Sequence, residues 1–539
     1  MRLRPGYFEI IRAKPYLIAL VAIVVAGGAL RLYNLSQPSY WNDESDTALQ
    51  ALGLLKYGIP KLPSGRVEYE AILSPVLVAF AWIVGGQSDF PARIVSVIFG
   101  VSTLVIVFLI GRLSWGTGTG LVASLMSGLS TWNIAWSRQA RMYAQFQFFY
   151  LSILLVALMY VKPGSITNRR LASVTLVLLV CAGLSSYHSV LLYTSLLSAL
   201  LVIGWGPRIV KRLGRETPLR LVGVLSVLGI GAVFVFWSGL ADFFALGIVR
   251  LVGLTTGQFF TQIPDNSSLA YHDVFDSFLL QLHPYAILLA IPGVVLMAKH
   301  DWRSGVMLAL LLGFPYLVYS TVFASYTTTL IYLRYILPEL PILFVLTAIT
   351  VSWIARFIQQ FAVRTWKAAA EPKLANLLRI GIAMGLTVLI LLAPQSGFQP
   401  SLANLSALPE PQPGYKMAAN YVKPLMKPGD VIGAIWPENT YYYFGHTEYW
   451  IISNPISITL SGQHDGPNIV FYYTGSALIK DPSDMSQAMV LHPRGWLLLS
   501  VNDFSGISPE LWSFIKTNMS LEAAASDPTI QTYLWNVTQ

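Results

Sequence analysis

Residues 91–111 read PARIVSVIFGVSTLVIVFLIG, an apolar run whose only charge is Arg93. About 20 such residues carry a helix across the hydrocarbon core of a bilayer. A helix satisfies its own backbone hydrogen bonds in lipid, so each comparable run reads as a span. Eleven are legible, roughly 15–33, 91–111, 119–136, 143–161, 171–187, 189–206, 220–238, 277–298, 304–322, 336–355 and 376–394. The chain therefore reads as an α-helical polytopic membrane protein. Its composition agrees, with 55% hydrophobic and 11% charged residues; a soluble protein carries about 25% charged residues. That excludes a soluble enzyme, a disordered chain and a coiled coil. A single cysteine, Cys181, excludes an internal disulfide, a thiolate zinc cluster and a CxxC redox site.

The net charge of +9 is explained by topology rather than by nucleic acid, because the basic residues sit between the apolar runs. Arg2, Arg4, Arg12 and Lys14 place the N-terminus in the cytoplasm. The first span shows no small-residue cleavage site and reads as an uncleaved anchor. Alternation then assigns Arg112, Lys162, Arg169, Arg170, Arg208, Lys211, Arg212, Arg215, Arg220, Lys299, Arg303, Arg356, Arg364, Lys367, Lys373 and Arg379 to the inner side. The same segments hold only four acids, Glu9, Glu216, Asp301 and Glu371. This bias is the one expected of a multi-pass plasma-membrane protein. The 240–260 stretch is apolar, but Arg250 near its middle favours an interfacial helix on the outer side.

Residues 1–394 form the membrane domain, with a first outer loop at 34–90. Two amphipathic or short apolar pieces, 46–57 and 71–86, interrupt that loop. Residues 395–414 are a linker, Pro-rich at its end, and 415–539 form an extracytoplasmic α/β domain. Tyr415–Leu425 has a helical pattern; Val431–Trp436, Ile469–Tyr473 and Trp496–Val501 read as strands. Asn266 and Asn536 stand in glycosylation sequons. There is no P-loop, GxGxxG, HExxH or GxSxG motif.

Polar chemistry concentrates on the outer side. Trp41-Asn42-Asp43-Glu44-Ser45-Asp46 follows the first span, and a carboxylate there could serve as a general base or hold a cation. The plain alternative is the solvated start of an acidic loop. Ser137-Arg138-Gln139-Ala140-Arg141-Met142-Tyr143 puts two arginines at an outer boundary, against the inside-positive trend. Guanidinium forks suit a phosphate; snorkelling or an ion pair with the Asp43 loop would also account for them. Arg334 and Tyr335, before the tenth span, form a third such place. Lys61, Arg66 and His188 are further candidates, although a satisfied structural role suits His188 better. Tyr441–Tyr443 and His446 read as part of the C-terminal domain's own core or surface. Together, acids on one loop and arginines on others would suit a site that grips a lipid phosphate beside a hydroxyl.

The order of one span, an outer loop opening on Asp-Glu, the stretch FPARIVSVIFGVSTLVIVFLIGRLSWGTGTGLVASLMSGLSTWNIAWSRQARMYAQFQFFYLSILL, then SSYHS and LRYILPELP, resembles the C-type (GT-C) membrane glycosyltransferases. The nearest branch is the protein O-mannosyltransferase and aminoarabinose (lipid A) transferase-like superfamily. The resemblance is carried by about 31–200 and 330–345 and is weak in the tail. It implies a polyprenyl-phosphate sugar donor (dolichyl or undecaprenyl) and a lipid, glycan or protein acceptor on the outer side. By match to its motifs, Asp43 is the base and Glu44 its catalytic neighbour. Arg138, Arg141 and Arg334 would bind the donor phosphate, with Lys61 and Arg66 as helpers and Tyr143, His188 and Tyr335 nearby. Relatives often carry an acid where Gln139 stands. This sequence departs there, so no cofactor is assigned and a divalent metal is the one cofactor left open.

The implied activity is an inverting transfer of the sugar to a hydroxyl, needing no nucleotide and no nucleic acid. Two rival readings remain at this level. A transporter or flippase of lipid-linked sugars would carry charges within its spans and inverted repeats. A non-catalytic envelope scaffold would tolerate alanine at Asp43 and Arg141.

Overall fold

The computed structural model describes residues 14–161, 169–212, 282–322, 334–365, 372–394, 396–398 and 412–537. The expected span at 220–238, the 240–260 stretch, the Asn266 sequon and most of the 395–414 linker lie outside the described residues. The chain divides into two compact units. One comprises Met1–Gly28, Gly100–Ile134 and Phe146–Pro400; the other Ala29–Phe99, Ala135–Gln145 and Ser401–Gln539.

The first unit is helical. Its elements include α5 (Thr117–Leu129), α8 (Arg169–Ser185), α9 (Ser189–Arg212), α10 (Pro284–His300), α11 (Trp302–Val322), α12 (Leu340–Thr365) and α13 (Pro372–Leu392). The helices α1 (Lys14–Leu32), α4 (Asp89–Ser114), α6 (Thr131–Ser137) and α7 (Tyr143–Val161) run through the unit boundaries. Among the described residues, α4, α7 and α12 have the length and apolar composition to cross a membrane, and seven further apolar helices are shorter.

Packing in this unit uses small residues and hydroxyls, as expected where lipid offers helices no hydrophobic drive to associate. A Cβ on Gly293 of α10 would collide with the carbonyl of Leu346 in α12. Thr347 and Thr350 of α12 donate to the carbonyls of Ala286 and Leu289 at 2.6 Å each. Gly111 and Gly120 bring α4 and α5 equally close.

The expected continuous span at 119–136 is two helices. Ser130 is extended (φ −60°, ψ 118°) and ends α5. Its hydroxyl meets His283 Nε2 at 3.1 Å, while the Thr131 N–H and hydroxyl both donate to the Gly397 carbonyl. Apolar periodicity is blind to such a break, because both halves stay buried and apolar.

The second unit joins the first loop to the tail. The tail sheet has the order β3-β4-β5-β2-β1-β6-β8-β7. Its strands are β1 (Val431–Ala434), β2 (Tyr449–Ile451), β3 (Gly462–Asp465), β4 (Asn468–Phe471), β5 (Ala477–Ile479), β6 (Arg494–Ser500), β7 (Ser520–Leu521) and β8 (Ile530–Asn536). The inner strands β5, β2, β1 and β6 are parallel and the edges antiparallel. Strand β1 is buried along its whole length, as parallel strands covered on both faces are. Helices α14 (Tyr415–Val422), α15 (Pro437–Phe444), α16 (Pro455–Ser461), α17 (Pro482–Leu491) and α18 (Pro509–Asn518) connect the strands.

The first-loop helices are α2 (Asn42–Tyr57) and α3 (Leu73–Gly85). Helix α2 starts four residues before the expected piece at 46–57, because acids in its first turn suit the positive end of a helix. Helix α3 buries Val78, Ala79 and Trp82 on one side and exposes Val76, Phe80, Ile83 and Val84 on the other. A core of Tyr40, Ala48, Ala51, Val78, Ala79, Trp82 and Ala92 takes in Tyr442 of the tail.

Candidate active site

Chemistry in the second unit gathers at the start of α2. Glu44 sits at the third helical position, and its Oε2 accepts from the Trp41 N–H at 3.1 Å, closing the first turn. The same oxygen accepts from Arg93 Nη2 at 2.8 Å. Its Oε1 accepts from Arg93 Nε at 2.8 Å and from the Ala140 N–H at 2.7 Å. Glu44 is 1% exposed and four donors engage its carboxylate. A base must have an oxygen open to its substrate's proton, so this geometry marks Glu44 as a holding group.

Asp43, one residue earlier, keeps a side chain 23% exposed. Arg141 faces it with Nη2 at 3.5 Å from Oδ2, and its Nη1 donates to the Asp43 carbonyl (2.8 Å) and the Thr47 hydroxyl (3.1 Å). The Ser96 hydroxyl holds the Arg141 carbonyl at 3.1 Å. A partly open carboxylate thus lies beside a partly open, oriented guanidinium.

Asp46, Glu70 and Glu438 extend the acidic side. Burial, then the charge of Asp43, pushes the Asp46 carboxyl well above the usual range. Burial and then Asp46 do the same to Glu438, which comes from α15 of the tail. Burial raises Glu70 as well, against the pull of Arg141. The α2 and α15 helix starts are tied through Asn439, which accepts from the Ser45 hydroxyl and donates to Asn42 Oδ1.

Arg138 has a different setting. It is 6% exposed, and its Nη1 donates to the carbonyls of Leu30, Arg31 and Tyr33 at the C-terminal end of α1. Burial, then Arg93, lowers its pKa to about 10. Its visible role is to hold that helix end.

Lys61 and Arg66 belong to a short turn of α2's following loop, bridged by Lys61 and Val67. Lys61 Nζ lies over the Tyr57 ring and Arg66 over the Tyr472 ring, at 5.3 and 4.7 Å. Glu68 accepts from the Tyr472 hydroxyl at 2.8 Å, and the Ser64 N–H donates to the Tyr473 carbonyl. Tyr143 is buried edge-on to Trp136 at 5.0 Å.

In the helical unit, Arg334 opens a one-turn 3₁₀ segment before α12 and lies over the Tyr335 ring at 5.2 Å. Tyr335 packs at a tilt of 43° against the buried His188, with ring centroids 4.5 Å apart.

Among the described residues, no three His, Cys, Asp or Glu side chains converge as metal ligands. Gln139 is buried with both amide atoms unpartnered. The residues present do not fit a metal held between loops.

The site also contains Arg93, Glu70, Glu438 and Asn439, to which the sequence pattern assigns no role. Arg93 carried a signal, since a lone charge inside an apolar run is expensive and usually functional. The tail residues carried none.

No family model and no curated protein matches this sequence. Solved structures do match it. ArnT from Cupriavidus metallidurans in the apo state superposes with a TM-score of 0.59 at 13% identity, covering 98% of this chain and 99% of that one. The same enzyme bound to undecaprenyl phosphate gives 0.54 at 13% identity over 97% and 98%. The archaeal oligosaccharyltransferase AglB from Archaeoglobus fulgidus, in complex with an inhibitory peptide and a dolichol-phosphate, gives 0.52 at 14% identity over 95% of this chain and 73% of its own. Helical bundle, first-loop helices and C-terminal sheet together give this chain the fold of ArnT and AglB, the GT-C fold.

Proposed function

We propose that the chain is an inverting glycosyltransferase that moves a sugar from a polyprenyl-phosphate donor to a hydroxyl acceptor at the outer face of the plasma membrane. The observation that carries this reading is the Asp43–Arg141 pair, a partly open carboxylate and guanidinium 3.5 Å apart. Two neighbours in fold support it, one bound to undecaprenyl phosphate and one to dolichol-phosphate. The distribution of Lys and Arg supports a cytoplasmic N-terminus, with the pair and the tail on the opposite side.

In the mechanism, the acceptor oxygen attacks the anomeric carbon while the bond from that carbon to the phosphate oxygen breaks. Asp43 takes the hydroxyl proton as the new bond forms. The lipid phosphate leaves with the bonding electrons, and Arg141 stabilises the charge growing on it. A single displacement inverts the anomeric centre. Lys61 and Arg66 are secondary candidates for the donor phosphate. Arg334 is a further one, proposed on its motif alone and testable by its own substitution. Glu44 acts by holding the site, and no step passes through a metal.

The test is to incubate the purified protein with radiolabelled undecaprenyl- and dolichyl-phosphate sugars and follow sugar release and transfer. Asp43→Asn should abolish transfer while expression and donor binding persist. Undiminished turnover in that variant would refute the assignment.

A further inference from the structure

We infer that Arg93 is a positioning residue whose five donors set the geometry of the Asp43–Arg141 pair; this rests on the function proposed above. A guanidinium has five N–H donors in a fixed plane. Here each has an acceptor within 2.9 Å. Nε and one Nη2 hydrogen go to the two Glu44 oxygens, the other Nη2 hydrogen to the Ser39 carbonyl, and the Nη1 hydrogens to the carbonyls of Leu35 and Pro38. The guanidinium also lies 5.1 Å from the Tyr40 ring centroid. Arg93 is 3% exposed, so it touches no substrate.

Its action passes through Glu44. The oxygen that accepts from Arg93 Nε also accepts the Ala140 N–H, fixing the start of α2 against the 138–141 segment. Asp43 precedes Glu44 by one residue and Arg141 follows Ala140 by one. The Glu44–Ala140 bond therefore sets how Arg141 meets Asp43. A lysine at 93 has three donors and no plane, so it cannot reproduce the five-way arrangement.

The experiment uses the full-length protein in nanodiscs. Arg93→Lys should lower kcat about 10- to 100-fold, the scale of a misplaced reacting group, with donor KM within about threefold of the parent. Arg93→Met should fall further, so that lysine is a partial rescue. In an Arg141→Ala background, Arg93→Lys should add little, because groups acting through one another are non-additive. Hydrogen exchange over 136–146 should rise in Arg93→Lys and in Glu44→Gln. A kcat within about twofold of the parent, full multiplication with Arg141→Ala, or unchanged exchange at 136–146 would overturn the inference. The functional reading fails separately, by full turnover of Asp43→Asn; the exchange measurement then still decides whether Arg93 governs the two segments.

Discussion

Lys416 Nζ lies 2.8 Å from Asp89 Oδ2 and also donates to the Ser36 carbonyl at 2.7 Å. One side chain of the tail's first helix thus meets both ends of the first loop. Asp89 is buried and stands in the first turn of α4, where Tyr442 also approaches it at 3.4 Å. Lys416 is one-third exposed. Removing the base costs more than removing the acid, because it leaves the buried Asp89 carboxylate without its ion pair and without water, whereas Lys416 left alone is still partly solvated. Lys416→Ala should cost about 1–3 kcal/mol and Asp89→Ala about 0.5–1 kcal/mol. Equal losses of unfolding midpoint, read by tryptophan fluorescence, would contradict this ordering.

Gly53 of α2 should not accept a side chain. A Cβ there would run into the backbone carbonyl and nitrogen of Lys61. Backbone cannot swing aside as a flexible side chain can, so Gly53→Ala should cost about 1–3 kcal/mol. It should also displace the Lys61–Val67 bridge and with it the turn that meets Tyr472 and Tyr473. Thermal unfolding and proteolysis within 59–68 would both report this; an alanine variant as stable and as resistant as the parent would not fit.

How much of this was legible depends on range. The apolar runs gave the helical class, and runs such as 143–161 match α7 to the residue. Asp43 and Arg141 were legible because each stands in a short polar segment beside an apolar run. The break at Ser130 was hidden because its cause, a carbonyl at Gly397, is over 260 residues away. Glu438 and Asn439 were hidden for the same reason: PENT in a soluble-looking tail says nothing about a first-loop helix, and only the fold brings them to Ser45 and Asp46. Asp43 and Glu44 read as a couplet in sequence, but four donors around the Glu44 carboxylate set it apart from its neighbour. Adjacent residues on a helix point about 100° apart, so a couplet in sequence seldom shares one environment.

The Asp46–Glu438 acids should make stability fall as pH rises. Both carboxyls are raised, by burial and then by like charge, with Asp43, Glu68 and Asp503 adding to the acids and Arg141 opposing them at Asp46. A raised carboxyl binds its proton more tightly in the folded chain than in the unfolded one. Its contribution is complete below the unfolded value of about 4 and is lost as pH rises through the folded value. Glu438→Gln and Asp46→Asn remove the titration. Each variant should gain on the parent as pH is raised from about 5 to 8, and gain little at the acid end. Melting curves of parent and variants that keep a constant offset across this range would exclude the linkage.

Arg141 offers the sharpest separation between holding and chemistry. Its Nη1 holds the Asp43 carbonyl and Thr47, while its Nη2 faces the Asp43 carboxylate. Thr47→Val removes one of the Nη1 acceptors and leaves the guanidinium in place, so it should lower turnover by less than about tenfold. Arg141→Ala removes the charge offered to the leaving phosphate, a loss of about 10²–10³ in kcat, or roughly 3–4 kcal/mol of transition-state stabilisation. Arg141→Lys restores a point charge without the fork and should fall between the two. The ordering Thr47→Val, Arg141→Lys, Arg141→Ala, with donor binding weakened least in the first, follows if the guanidinium acts on the phosphate. If Thr47→Val were as damaging as Arg141→Ala, Arg141 would matter only for keeping α2 in place, and the leaving-group role assigned to it would be lost.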